Sequence, residues 1–160
     1  MRVIFLDVDG VLNSCSFASK MQDEEGVDTF HEDILDDRCL ACLKQIVLRT
    51  GAEIVLISSW RSIRESRARL VSQLESYGLA IHSDAPRTGG NRGDDICAWF
   101  AHHKDVPIEG YVVLDDDADV GVHQMHLVRT SLFDWGLKTE HIRQAVDILM
   151  KDERKDERKD

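Results

Sequence analysis

Three short apolar runs punctuate the chain, VIFL at 3–6, IVLI at 54–57 and YVVL at 111–114. Each is rich in Val and Ile and gives way at once to polar residues. Continuous apolar runs of this kind suit parallel strands covered on both faces. Weaker strand candidates lie at 79–82 and 126–129. Helical spacing fills the intervals. Leu40, Leu43, Ile46 and Val47 share one face, with Gly51 as a stop. Ile63, Leu70, Val71 and Leu74 fall within 62–77, which ends at Gly78. Ile96, Ala98, Trp99 and Phe100 fall within 94–103. Ile142, Val146, Ile148 and Leu149 fall within 139–150, with Thr139 as the expected N-cap. Strands alternating with helices predict βαβ units and an α/β fold with a mainly parallel sheet.

Two segments stand outside this pattern. The stretch 13–37 contains SKMQDEEGVDTFHED, polar and acidic, and is expected to be a loop. A loop of that length is either a functional flap or minimal lid, or a mobile surface insertion. The end of the chain, KDERKDERKD at 151–160, repeats every four residues. Its i,i+4 pairs are therefore identical and like-charged, which opposes a helix, and a disordered tail is expected. A single domain over 1–150 is left.

Composition changes the picture in three ways. At 160 residues the chain fits one domain that needs no disulfide or structural metal to fold. Its formal net charge of −10 weakens any case for tight, non-specific binding to a nucleic-acid backbone, without excluding a local basic site. Cys39 and Cys42 form a C-x-x-C, but no second pair stands at zinc-finger spacing, so they read as buried thiols on a helix face. The start of the chain is too short and too acidic for a signal peptide, and no apolar stretch approaches a membrane span. A soluble, cytoplasmic protein is the expectation.

The chemistry gathers where the strands end. In an open α/β sheet, ligands bind beyond the carboxyl ends of the strands. The first run ends in Asp7-Val8-Asp9-Gly10, the second in Ser58-Ser59-Trp60-Arg61, the third in Asp115-Asp116-Asp117. If the strands are parallel neighbours, these groups converge. Asp7 and Asp9 would point the same way if extension continued, and Gly10 permits a sharp turn. Carboxylates so concentrated are either a solvated acidic turn or the seat of a hard divalent cation, for which oxygen-only ligands suit Mg²⁺. A substrate phosphate would also need donors. The Ser58 hydroxyl, the Ser59 backbone N–H and the Arg92 guanidinium are placed to supply them.

With these residues in view, VIFLDVDGVLN resembles motif one of the haloacid dehalogenase (HAD) superfamily, a hydrophobic strand followed by D-x-D-G. Ser58 after EIVLI matches motif two, Arg92 matches motif three, and YVVLDDD resembles motif four. The motifs stand in family order from Val3 to Asp119. The SSWR stretch further resembles compact HAD domains of RNA-repair proteins. The resemblance implies a three-layer Rossmann-like HAD fold with minimal or no cap, and a Mg²⁺-dependent phosphomonoesterase. Asp7 would be the nucleophile that forms an aspartyl-phosphate. Asp9 would be the general acid and base. An Asp at that position favours a phosphatase over the family's ATPases, which carry Thr there. Asp7, the backbone carbonyl of Asp9, and Asp116 would hold the metal. Asp115 would share or orient that shell, because adjacent side chains usually diverge, and Asp119 is an outer candidate. Ser58, Ser59 and Arg92 would bind the phosphoryl group, with Arg61, Arg64 and Arg87 competing for Arg92's role.

Two alternatives stand beside this reading. The first is a polynucleotide-end phosphatase acting on RNA or DNA ends. A basic groove built from Arg61, Arg64, Arg67, Arg69, Arg87 and Arg92 would favour it, and scattered arginines would not. The second is a non-enzymatic phosphoacceptor or Mg²⁺-binding module. The partner in every case is a phosphorylated molecule, small or macromolecular, and not a membrane.

Overall fold

A computed structural model of the chain describes residues 1–151. Apart from Lys151, the tail expected to be disordered lies outside the described residues. The elements run β1 (Arg2–Leu6), α1 (Cys15–Glu25), α2 (Asp37–Thr50), β2 (Glu53–Leu56), α3 (Arg64–Glu75), β3 (Ile81–Asp84), α4 (Arg92–His102), β4 (Gly110–Asp115), β5 (Leu127–Arg129) and α5 (Thr139–Leu149). The described residues form a five-stranded sheet in the order β3-β2-β1-β4-β5. Every pairing is parallel. This is the predicted α/β architecture, a Rossmann-like parallel sheet with helices on both faces.

Period-two alternation divides the core. Ile4, Leu6, Ile54, Leu56, Val112 and Leu114 face α2, α3 and α5, whose Leu43, Ile46, Leu70, Leu74, Ile142 and Leu149 are buried there. Val3, Phe5, Val55, Ile57 and Val113 face the other way, onto Ile96 and Trp99 of α4. The helical layers are therefore unequal, three helices against one. Trp99 and Phe100 belong to the core: Phe5 meets both rings edge-on, at centroid distances of 5.3 and 5.5 Å.

Three local expectations shift. The third strand begins later than 79–82 suggests, because Leu79 is spent on closing α3. Gly78 adopts a left-handed φ of 71°, and the Leu79 N–H bonds to Leu74 O. Thr139 is the first helical residue of α5 rather than its cap. The His141 imidazole Nδ1 takes the Lys138 N–H there, at 2.9 Å. The stretch 13–37 is not wholly a loop. Residues 15–25 form α1, with the Ser14 hydroxyl accepting the Phe17 N–H and Gly26 closing the helix in the left-handed region. Only Phe17 of α1 is buried, so no apolar stripe betrayed it. The segment's ends are pinned: Cys15 N–H bonds to Leu132 O, and Asp36 N–H to Leu12 O.

Cys39 and Cys42 are free and buried on α2, as the helix-face reading requires. No described helix is long and apolar enough to cross a membrane.

Trp99→Ala would remove the largest fully buried side chain. It is expected to cost about 3–5 kcal/mol of stability, read from urea unfolding.

Candidate functional site

The site is built at the carboxyl ends of three neighbouring strands. The Leu6–Leu114 pairing continues one step further, since the Asp7 N–H bonds to Leu114 O at 3.0 Å. Asp7 therefore lies beside Asp115. By alternation both carboxylates follow Val3, Phe5 and Val113 onto the face covered by α4. Arg92 is the first residue of α4 and meets them there. Its Nη2 donates to Asp7 Oδ1 at 3.3 Å. Its Nε lies 3.0 Å from Asp115 Oδ2. Its Nη1 donates to the carbonyl of Ile57, at the end of β2. One guanidinium thus spans the ends of β1, β2 and β4.

β4 stops at Asp115, and Asp116 falls in a bend. The bend breaks strand alternation, so the two adjacent aspartates do not diverge. Asp7, Asp115 and Asp116 each bring a carboxylate oxygen within 4.8 Å of the others. Gly10 makes room for this. Its φ is +79°, and a Cβ built on it would lie 2.4 Å from Asp116 Oδ2.

Three carboxylates in so small a space are electrostatically unfavourable alone. Burial, then the charge of Asp115, push the Asp7 carboxyl up to about 8, against the lowering pull of Arg92. Burial and Asp115 likewise raise Asp116. Asp115 Oδ2 is buried and accepts no aligned hydrogen bond, although the Arg92 charge is close. An all-oxygen donor set, a buried acceptor without a donor and a glycine-cleared approach fit a hard divalent cation.

The Asp9 carboxylate is not part of this cluster. The chain turns after Val8, whose carbonyl accepts the N–H groups of Val11 and Leu12, so extension does not carry Asp9 alongside Asp7. Asn13 Nδ2 donates to one Asp9 oxygen at 2.8 Å, and Trp60 Nε1 to the other at 3.2 Å. Both oxygens are thereby oriented. Ser58 is buried at the end of β2, and its hydroxyl accepts the Trp60 N–H at 3.2 Å. Its own O–H proton has no acceptor among the described residues. Ser59 opens the short 3₁₀ turn at Ser59–Ser62 and is exposed. Asp117 and Asp119 are exposed, the Asp119 N–H bonding to Asp117 Oδ1.

Two of the rival arginines, Arg61 and Arg87, have partners away from the acidic cluster, Asp95 and Ser62. Arg61 is buried against Asp95, Nη2 to Oδ2 at 2.5 Å, and does not reach the acidic cluster. Arg67 forks onto Asp84, and Arg69 donates to Glu32 O. Arg61, Arg87 and Arg92 share a cavity of about 240 Å³ beside the cluster. On its other side, Asp116 borders a cavity of about 470 Å³ that includes Arg129, Phe133 and Lys138.

Sequence reasoning missed four supporting residues. Asn13 and Trp60 hold Asp9. Thr130 ties the first loop to the fourth strand, its hydroxyl donating to Gly10 O at 2.6 Å and its N–H to Asp115 O at 3.1 Å. Asp95 occupies Arg61. Asn13 and Trp60 stand inside the motif stretches, so their proximity was readable. Thr130 follows a three-residue strand and carried no signal.

Residues 3–142 match the profile of one family, described as the HAD domain in Swiss Army Knife RNA repair proteins. No curated protein and no solved structure matches the chain.

The raised Asp7 pKa fixes the sign of a pH effect. Without metal, this carboxyl contributes stability that is fully present below the ordinary carboxyl range and is lost as pH rises through about 8. Thermal melts in EDTA are expected to fall from pH 4 to 8. Asp7→Asn is expected to melt higher than the parent at pH 8 and to flatten that slope.

Proposed function

The chain belongs to the family of HAD domains in Swiss Army Knife RNA repair proteins, and on that premise we propose that it is a Mg²⁺-dependent phosphomonoesterase. Family membership supports a HAD-type phosphatase in general. The observation that carries the finer reading is Asp7, buried at a strand end between Asp115 and a guanidinium aimed at its carboxylate.

In this reading an Asp7 oxygen attacks phosphorus as the bond to the ester oxygen breaks, leaving the phosphoryl group on Asp7. Asp9 gives its proton to the departing oxygen. It then takes a proton from water as that water attacks the phosphorus and frees Asp7. Asn13 and Trp60 keep the Asp9 carboxyl in position for both transfers. The Ser58 hydroxyl, the Ser59 N–H and Arg92 would bind the phosphoryl oxygens. Asp7, Asp115 and Asp116, with the Asp9 carbonyl, would hold Mg²⁺, which would supply positive charge to the phosphoryl oxygens. The cation would also offset the burial and the Asp115 repulsion that raise Asp7 and Asp116.

A second reading, a phosphatase of polynucleotide ends, is favoured by two observations. The family's description names RNA repair, and three arginines share the cavity beside the cluster. Against a continuous basic groove, Arg67 and Arg69 are turned to partners of their own. The third reading, a phosphoacceptor without turnover, predicts phosphate that stays on Asp7.

Hydrolysis of p-nitrophenyl phosphate with Mg²⁺, with EDTA and with Asp7→Asn tests the chemistry. Activity is expected to need both metal and Asp7, and Asp9→Asn to lower kcat by about 10²–10⁴-fold. Activity that survives Asp7→Asn would rule out the nucleophile assignment. A phosphorylated protein that never turns over would favour the third reading. Gly10→Ala, which drives a methyl group into Asp116, is expected to weaken Mg²⁺ binding as read by calorimetry.

A further inference from the structure

The cavity of about 240 Å³ beside the acidic cluster is bounded by Arg61, Arg87 and Arg92, with Ser59, Asp95 and Asp117 among its other walls. Its charges are unequally matched. The Asp95 carboxylate is already fully used. One oxygen accepts the Thr88 N–H and hydroxyl, at 2.9 and 2.8 Å, and the other accepts Arg61. Burial alone would raise the Asp95 pKa, but the Thr88 and Arg61 bonds outweigh it and hold the acid below the usual range. Asp95 is thus a fixed, ionised anchor whose task is to keep Arg61 in place.

Arg61 is itself buried, its side chain only 4% exposed, and its Nε proton has no partner among the described residues. Burial lowers its pKa first, and the charges of Arg92 and Arg87 lower it further, so the three guanidiniums lie close enough to repel. Arg87 has no carboxylate partner among the described residues. Its Nη1 meets Ser62 Oγ at 2.9 Å. Three cations held together, one of them unmatched and one with an unused buried donor, form an arrangement that an anion would relieve.

This anion is not the reacting phosphoryl group. That group must lie against Asp7, and only Arg92 of the three reaches Asp7. Arg92 belongs to both places, walling the cavity and touching the nucleophile. The cavity therefore begins one guanidinium away from the reacting centre.

We propose that this three-arginine cavity is a subsite for a second phosphate on the same substrate, with Arg87 as its outer determinant and the Arg61–Asp95 pair as its fixed floor. The inference rests on the phosphatase reading for which phosphate reacts, and on a cation at the acidic cluster to admit an anion beside it. It makes the substrate a molecule that carries two phosphates, close enough to straddle Arg92. A small bisphosphate and a phosphorylated oligonucleotide end, whose next phosphodiester serves as the second group, share that chemistry.

The test reads binding, so that it stands apart from turnover. Asp7→Asn protein in Mg²⁺ is titrated by calorimetry with adenosine 3′-monophosphate, adenosine 3′,5′-bisphosphate and a 3′-phosphorylated tetranucleotide. A second phosphate is expected to tighten binding about tenfold or more, and adding Arg87→Gln is expected to remove about tenfold of that preference. Arg87→Lys, which keeps the charge but not the fork, is expected to fall between. Preference for the bisphosphate identifies the small source; preference confined to the tetranucleotide identifies the polymer source. Equal affinity for all three ligands, or a preference unchanged by Arg87→Gln, overturns the proposal. If the parent protein in Mg²⁺ hydrolyses neither p-nitrophenyl phosphate nor any of the three ligands while the Arg87-dependent preference is found, the phosphatase reading fails and the subsite stands.

Discussion

A single guanidinium decides whether the ends of the central strands can carry their charges. Arg92 touches the Asp7 carboxylate, approaches Asp115 and caps the Ile57 carbonyl. Without it, two buried acids would face each other across adjacent parallel strands with no counter-charge of their own. Burial first, and then the charge of Asp115, keep Asp7 and Asp116 raised, and at Asp7 the single guanidinium does not offset them. The surplus is the physical argument for a cation: a site that folds with unresolved negative charge is arranged for a positive ligand.

Other contacts set the position of Arg92. Asn91 caps α4, its side chain accepting the Asp94 N–H while Asp94 accepts the Asn91 N–H. Gly93 lets the helix approach the loop that follows the acidic strand, where a Cβ would come within 2.4 Å of the Val120 carbonyl. Trp99 anchors the helix in the core beneath β1. The chemistry at the helix start therefore depends on packing two turns further along. The first loop is secured by its own contacts, through Asn13 to Asp9 and through Thr130 to Gly10.

Much of this was legible because strand ends and helix ends obey local rules. The apolar runs marked β1, β2 and β4, and parallel neighbours were enough to bring Asp7, Ser58 and Asp115 to one edge. Arg92 was one of four arginines in contention for that edge, and it lies between Asp7 and Asp115. What failed to show was whatever depends on a single turn of backbone. Asp115 and Asp116 converge because the strand ends between them, and Asp9 leaves the line of Asp7 because the chain coils after Val8. α1 escaped because it buries almost nothing, although Ser14 and Gly26 stood as its punctuation. The pairing of Arg61 with Asp95 is a contact across 34 residues and had no local trace.

The strand order has a further consequence, for the way the chain comes together. β1 lies at the centre of the sheet, yet it precedes both of its neighbours in the chain, and β4 is more than a hundred residues away. Contacts so distant in sequence close slowly. Until β4 arrives, VIFL has an unpaired edge, and Asp7 has no Asp115 beside it. A partly made chain therefore keeps the Asp7 carboxylate hydrated and ordinary. The unusual acid comes into being only with the completed sheet, so an abortive fragment would carry a sticky strand but no buried, perturbed carboxylate.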